Sequence, residues 1–367
     1  MNKKSPGAIK IGRIYGIEIE LHYTWFFIFG LLAWGLATGF FPSYFESAAI
    51  NWSLGIVAAL LLFASVLAHE LSHSITAKAN KMPVKKITLF FFGGVAQIEG
   101  AELTPGKEFK MAIAGPIFSI ILGVIFFLIY KFVAIPYITA LSSYLFRINF
   151  ILAAFNLVPG FPLDGGRVLR SILWKIYGDE RKATRIAATG GKVFAAIMVI
   201  GGFMGMFFGY GSLWFVILGI FLWIIAGASY QQTALKSLLA GLTVGQVMNK
   251  KIVTVTEATT AKELLKKFVN YKQEAFPVIR NKRVIGMATL ANIKGVPREE
   301  WIKKKVKSLM KRGVMPAKPK ERLFYAFAKM IEQGLDVLPV VENKKLVGTL
   351  HRSTIIHILR IRSHISS

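Results

Sequence analysis

Six apolar stretches, at residues 25–41, 54–77, 109–132, 141–158, 193–208 and 213–228, commit this chain to a membrane fold. A helix needs about 20 apolar residues to cross a hydrocarbon layer of about 30 Å, and most of these stretches reach that length or gain it from their flanks. Apolar residues make up 54% of the chain, far more than one soluble core requires.

Lysine and arginine predict the orientation. Lys3, Lys4, Lys10 and Arg13 precede the first stretch. Lys78, Lys81, Lys85, Lys86, Lys107 and Lys110 separate the second from the third, and Arg167 to Lys192 separate the fourth from the fifth. The alternate connections, at 42–51, 134–139 and 209–211, carry none. The positive-inside rule then predicts a multi-pass protein of the cell membrane with both termini in the cytoplasm. The net charge of +27 has the same origin, since the basic residues lie between the spans and in the C-terminal third. They form no nucleic-acid-binding motif, so the expected partner is the lipid bilayer and not nucleic acid. The first long apolar run begins near His22 and leads to no small-residue cleavage pattern, so no cleavable signal peptide is expected. The chain has no cysteine, which excludes disulfides, thiolate metal sites and thiol nucleophiles.

His69-Glu70-Leu71-Ser72-His73 lies inside the second stretch. Helical spacing of i and i+4 puts both imidazoles on one face, where they can share a metal ion. Glu70 is then placed to polarise a metal-bound water and shuttle its proton. Ionisable groups are costly at membrane depth, so this cluster calls for a functional explanation. Counted from Ser53 at the outer end, His69 lies about 24 Å along the helix, nearer the cytoplasmic face.

Two histidines leave a catalytic zinc one protein ligand short. The aspartates are Asp164, Asp179 and Asp336, and of these Asp164 alone adjoins a membrane span. Pro159 and Pro162 interrupt the helix before it, and irregular backbone at membrane depth needs protein or a wet cavity around it. Gly165 and Gly166 are read as letting the chain turn and approach the metal. Asp164 has an alternative role as cap of a helix beginning at Gly165.

Two short strands are expected at 9–11 and 17–21, where apolar and polar residues alternate on either side of Gly16. Residues 84–99 are too short to cross as a helix, and their β-branched and aromatic composition around Gly93-Gly94 predicts a hairpin, either cytoplasmic or re-entrant. Beyond residue 228 the chain turns polar. Pro277-Val278 and Gly286 recur as Pro339-Val340 and Gly348 at one constant offset, which marks an internal repeat around a shared core.

The HExxH motif, followed by Asn156-x-x-Pro159-x-x-Pro162-Leu163-Asp164-Gly165-Gly166-Arg167, resembles the site-2 protease family of intramembrane zinc metalloproteases. The repeat resembles a tandem pair of CBS domains, which one branch of that family carries. The resemblance covers essentially the whole chain. It implies a helical polytopic membrane domain at 1–232 with six transmembrane helices and short β-strands. An α/β CBS-domain pair would follow at 233–303 and 304–367. It further implies one Zn2+ per chain held by His69, His73 and Asp164, with Glu70 as general base. Asn156 falls where the family has an asparagine facing the active site, able to hold the substrate backbone or the oxyanion. Its alternative role is to bond a backbone carbonyl freed at the Pro159 break. Gly93 and Gly94 would hold the substrate as an added strand. The implied activity is hydrolysis of a peptide bond in or near a transmembrane segment of a membrane-protein substrate, that is, regulated intramembrane proteolysis.

Ser72 and Gly160 depart slightly from the commoner family pattern. The repeat departs more. CBS domains that bind adenosine nucleotides commonly place an aspartate three residues after a Thr or Ser that follows the strand glycine. Here Thr289 is followed by Asn292, and His351 by Thr354, so adenine-nucleotide binding is expected to be weak or absent. The CBS pair also offers a surface for a homodimer. The competing function is a CBS-regulated metal transporter or channel, which would be expected to place acids in several spans; here they reduce to Glu70 and Asp164.

Overall fold

A computed structural model describes residues 7–91, 93–98, 103–209, 213–281 and 283–365. Lys3, Lys4, Phe92, Glu99 and Gly211, which enter the sequence reading, lie outside the described residues. Two compact units divide between Thr233 and Ala234.

In the first unit, β1 (Ala8–Ile14) and β2 (Ile17–His22) pair through Tyr15-Gly16, whose φ values of 49° and 74° suit a two-residue hairpin turn. The alternation in β2 has a plain cause. Ile17, Ile19 and Leu21 enter an apolar cluster with Trp25, Ile87 and Met111. On the other face Glu18 takes Lys10 and Arg13, each at 2.7 Å, and Glu20 takes Lys86 at 3.0 Å. The expected second hairpin forms from β3 (Val84–Phe90) and β4 (Gly93–Ile98). Its glycines open β4 and do not make the turn, because Phe90 already pairs with Gly93. Unforeseen from the sequence, β2 and β3 pair in parallel, joining both hairpins into one sheet of order β1-β2-β3-β4.

Among the described residues, six helices are long and apolar enough to cross a membrane. The first comprises α1 (Tyr23–Gly35) and a wider turn at Leu36–Phe40; the others are α2 (Ala48–Ala79), α3 (Pro105–Phe132), α4 (Pro136–Asn156), α6 (Glu180–Phe207) and α7 (Leu213–Leu238). The amphipathic α5 (Asp164–Tyr177) lies between α4 and α6. Most helices outrun the apolar stretches, since polar flanks continue a helix once it is nucleated. The fourth stretch falls short by two residues at its far end. It stops at Asn156 and not at 158, because Pro159 lacks an N–H and disfavours helical backbone in the residue before it.

The second unit contains α8 (Val244–Val247), β5 (Val255–Thr256), α9 (Ala261–Tyr271), β6 (Ala275–Arg280) and β7 (Arg283–Thr289). After them come α10 (Val306–Leu309), β8 (Lys311–Arg312), α11 (Leu323–Gln333), β9 (Val337–Glu342), β10 (Lys345–His351) and α12 (Arg352–Ile365). The repeat is visible in three dimensions: β6 and β9 share one pattern of burial, and β7 and β10 another. Ala275 and Met287 join Leu338, Val340 and Leu350 in a single cluster, so the repeats do share a core. They also exchange strands, since β8 pairs with β7 while Asn249 bridges Thr349.

Candidate metal centre

On α2, His69 and His73 stand one turn apart, and both are buried. The neighbouring α3 fixes their rings. Met111 O accepts from His73 Nδ1 at 2.6 Å, and Ser119 Oγ lies 2.9 Å from His69 Nδ1. Met111 O can only accept, so the neutral His73 ring presents a bare Nε2 lone pair, and His69 does the same when its Nδ1 proton faces Ser119 Oγ, the arrangement that orients metal-binding imidazoles. Gly115, between those two residues of α3, permits the approach. A Cβ there would lie 2.2 Å from His73 Nε2 and 2.5 Å from His69 Nε2.

Asp164 arrives from the opposite side as the first residue of α5. Its Oδ2 is 3.1 Å from His69 Nε2 and 3.0 Å from His73 Nε2, and the two Nε2 atoms are 3.2 Å apart. Three lone-pair atoms therefore form a nearly equilateral triangle. A cation seated among them would relieve their mutual repulsion. Ligands about 2.0–2.1 Å from a tetrahedral zinc are separated by roughly 3.3 Å, so the donor set fits that ion. The helix-cap alternative for Asp164 is not what the structure contains, because the N-cap position belongs to Leu163 and has no side-chain bond. Gly165 and Gly166 also act differently from the expectation. Their would-be Cβ atoms meet Leu157 O at 2.2 Å and Gly160 C at 2.3 Å, so they admit the preceding loop and not the metal.

Glu70 lies beside the triangle and faces β4. A Cβ at Gly94 would stand 2.5 Å from Glu70 Cγ, so the strand's backbone passes directly against this side chain. Gly93 precedes it with φ of 132°, a conformation that favours glycine. Asn156 Nδ2 donates to Leu152 O at 3.0 Å, so its amide is turned onto its own helix.

The sequence reading missed Gly115, Ser119 and an ion pair that ties α3 to α5. Glu108, fully buried in the first turn of α3, receives both Arg170 Nε, at 3.1 Å, and Arg170 Nη2. Arg167 Nε lies 3.8 Å from the same carboxylate. Because α3 orients the imidazoles and α5 carries Asp164, this pair holds the two halves of the site in register. Breaking a buried pair by removing one partner costs about 3–5 kcal/mol. Glu108→Gln is accordingly expected to lower the unfolding free energy of the detergent-purified protein by about that amount. An unchanged denaturation midpoint would show that the pair is not such a brace.

Known proteins resemble this chain in both of its parts. The sequence profile of Peptidase family M50 matches residues 57–141 and 133–201, and that of the CBS domain matches 244–298 and 306–361. A Synechocystis sp. protein named as a zinc metalloprotease is 34% identical over 363 residues, covering 96% of this chain and 95% of its own. A zinc metalloprotease of Methanocaldococcus jannaschii is 32% identical, covering 78% of this chain and 79% of its own. Among solved structures, the site-2 protease from Methanocaldococcus jannaschii aligns at 35% identity over 61% of this chain and 95% of that one, with a TM-score of 0.44.

Spans, donor set and relatives together define a multi-pass membrane metalloprotease with zinc as its cofactor. The chain belongs to Peptidase family M50, the site-2 protease family, and carries tandem CBS domains after its membrane region.

Proposed function

We propose that this protein hydrolyses a peptide bond within or beside a transmembrane segment of another membrane protein, with His69, His73 and Asp164 holding zinc and Glu70 as general base. The observation that carries this reading is the convergence of the three donor atoms next to Glu70 and the edge strand β4. Bound there, zinc supplies Lewis-acid activation of water and polarises the scissile carbonyl. Glu70 takes the proton from the attacking water and returns it to the amide nitrogen as the bond breaks. A helical substrate keeps its carbonyls in intrahelical hydrogen bonds, so its backbone must first be unwound. Among the described residues β4 has β3 as its sole sheet neighbour, which leaves the other side of the strand able to pair with an extended segment. In this reading the backbone at Gly93 and Gly94 places that segment against Glu70. Asn156 contributes to the oxyanion or the substrate backbone once its bond to Leu152 O is released.

Among the described residues the transporter alternative has no chain of acids to run through. Glu70 and Asp164 meet at one site, and Arg170 closes off Glu108. Substrates compatible with the chemistry are membrane-tethered transcription factors, anti-sigma-type regulators and leftover signal peptides. Domain limits at 1–232, 233–303 and 304–367 serve this reading, with both termini and the CBS pair in the cytoplasm and with pairing of two copies through the CBS domains. Adenine nucleotides bind the pair weakly or not at all. Asn292 Oδ1 is engaged by Thr289, both N and Oγ1, and His351 Nε2 by Thr349 Oγ1. No carboxylate stands at either position.

A single reconstitution tests chemistry and sidedness. The zinc-loaded protein is placed in sealed vesicles with a single-span test substrate, and the product ends are mapped by mass spectrometry. Single cysteines at Ser47 and Asn249, labelled from opposite faces, mark the orientation. The expected cut falls within the span or about one helical turn from it, with the new end released on the Asn249 side. Cuts confined to soluble loops, or both cysteines labelled from one face, would overturn the reading.

A further inference from the structure

Arg147 stands in the middle of α4, 11 residues after Pro136 and nine before Asn156. At 1.5 Å per residue that is about 16 Å from one end of the helix and about 13 Å from the other. The side chain is exposed, as are Phe150, Ile151 and Ala154 on the same side of the helix. The opposite side carries the buried Leu145 and Asn149, the latter bonded to Ser65 of α2 at 3.3 Å, so Arg147 projects away from the bundle. Among the described residues its contact is the Phe146 ring, 5.6 Å from the guanidinium carbon, and no carboxylate.

A guanidinium cannot shed its charge, and arginine is among the costliest side chains to leave in hydrocarbon. Its stem extends on the order of 6 Å from standard bond lengths, well short of headgroups at either end of the helix. The missing anion therefore has to come from membrane depth. The described residues of a second copy do not provide it. Among the described residues of the first unit, Glu18 and Glu20 are held in the sheet, Glu70 and Asp164 are at the metal centre, and Glu108 is sealed by Arg170. The remaining acids, Glu46, Asp179 and Glu180, lie outside the central part of any span.

We infer that this face of α4 receives a transmembrane helix of another protein, one that carries an aspartate or glutamate near the middle of its span. Phe150, Ile151 and Ala154 surround Arg147 with an exposed apolar surface on which a helix can lie.

The test uses the full-length, zinc-loaded protein in phosphatidylcholine vesicles. Energy transfer reports its binding of a labelled leucine–alanine helix of about 23 residues with one central glutamate, or with leucine there instead. The glutamate helix is expected to bind the wild-type protein at least tenfold more tightly than the leucine helix. Arg147→Leu and Arg147→Gln should bring the two to parity at unchanged zinc content, and Arg147→Lys should retain most of the preference. Equal binding of both helices to wild type, or a preference that survives in Arg147→Leu and Arg147→Gln, would overturn the inference. So would Arg147-dependent retention of phosphatidylglycerol in place of any helix preference, which would assign the cation to a lipid phosphate.

Discussion

Asp164→Ala is expected to weaken zinc binding by at least about a hundredfold and to abolish cleavage with it. The Oδ2 atom stands 3.1 and 3.0 Å from the two Nε2 atoms, close to the separation that tetrahedral coordination requires. Loss of a mere orienting partner typically costs about 10–100-fold in metal affinity, so loss of one of three protein donors sets a higher floor. The helix that carries Asp164 is anchored elsewhere, through Arg170 and Glu108, and the variant should fold. Competition with a chromophoric chelator in detergent measures the effect. An affinity within a few-fold of wild type would remove Asp164 from the donor set.

Gly115→Ala is the second large expectation, although the residue itself has no chemistry. One methyl group at this position would lie 2.2 Å from His73 Nε2 and 2.5 Å from His69 Nε2, well inside van der Waals contact. The imidazoles cannot simply turn aside, because their Nδ1 atoms are held by Met111 and Ser119 of the same helix. Either the helices separate or the rings leave their bonds, and overpacking of this kind costs about 1–3 kcal/mol. Zinc affinity is expected to fall by roughly 10–100-fold, as when orienting bonds are lost, with the six-span helical content preserved by circular dichroism. Wild-type affinity in Gly115→Ala would mean that α3 does not lie against the metal centre as described.

What the sequence made legible was local. His69 and His73 declare themselves by an i and i+4 spacing, the first two strands by alternation around Gly16, and the second hairpin by its β-branched and aromatic composition. The repeat declares itself by its recurring Pro-Val and Gly. Contacts between distant segments were illegible for a physical reason. The acceptor for His73 is a backbone carbonyl, which any residue at position 111 would supply. Gly115 reads as one more small residue in an apolar helix until the imidazoles are seen against it. Glu108 and Arg170 are 62 residues apart, and the carboxylate falls one residue ahead of the expected third span. A search for the opposite charge facing that buried glutamate could have found the pair, since buried acids are rarely left alone. The parallel pairing of β2 with β3 likewise depends on α1 and α2 returning the chain to the same place.

The most direct test of the account is Glu70→Gln, assayed for zinc content and for cleavage of a single-span substrate in the same preparation. All three donors remain in this variant while the base is lost, so it should hold about one zinc per chain, as the wild type does, and retain almost no proteolysis. Zinc-loaded Glu70→Gln that cuts the substrate at close to the wild-type rate would contradict the assignment of the base, and with it the chemistry proposed for the site.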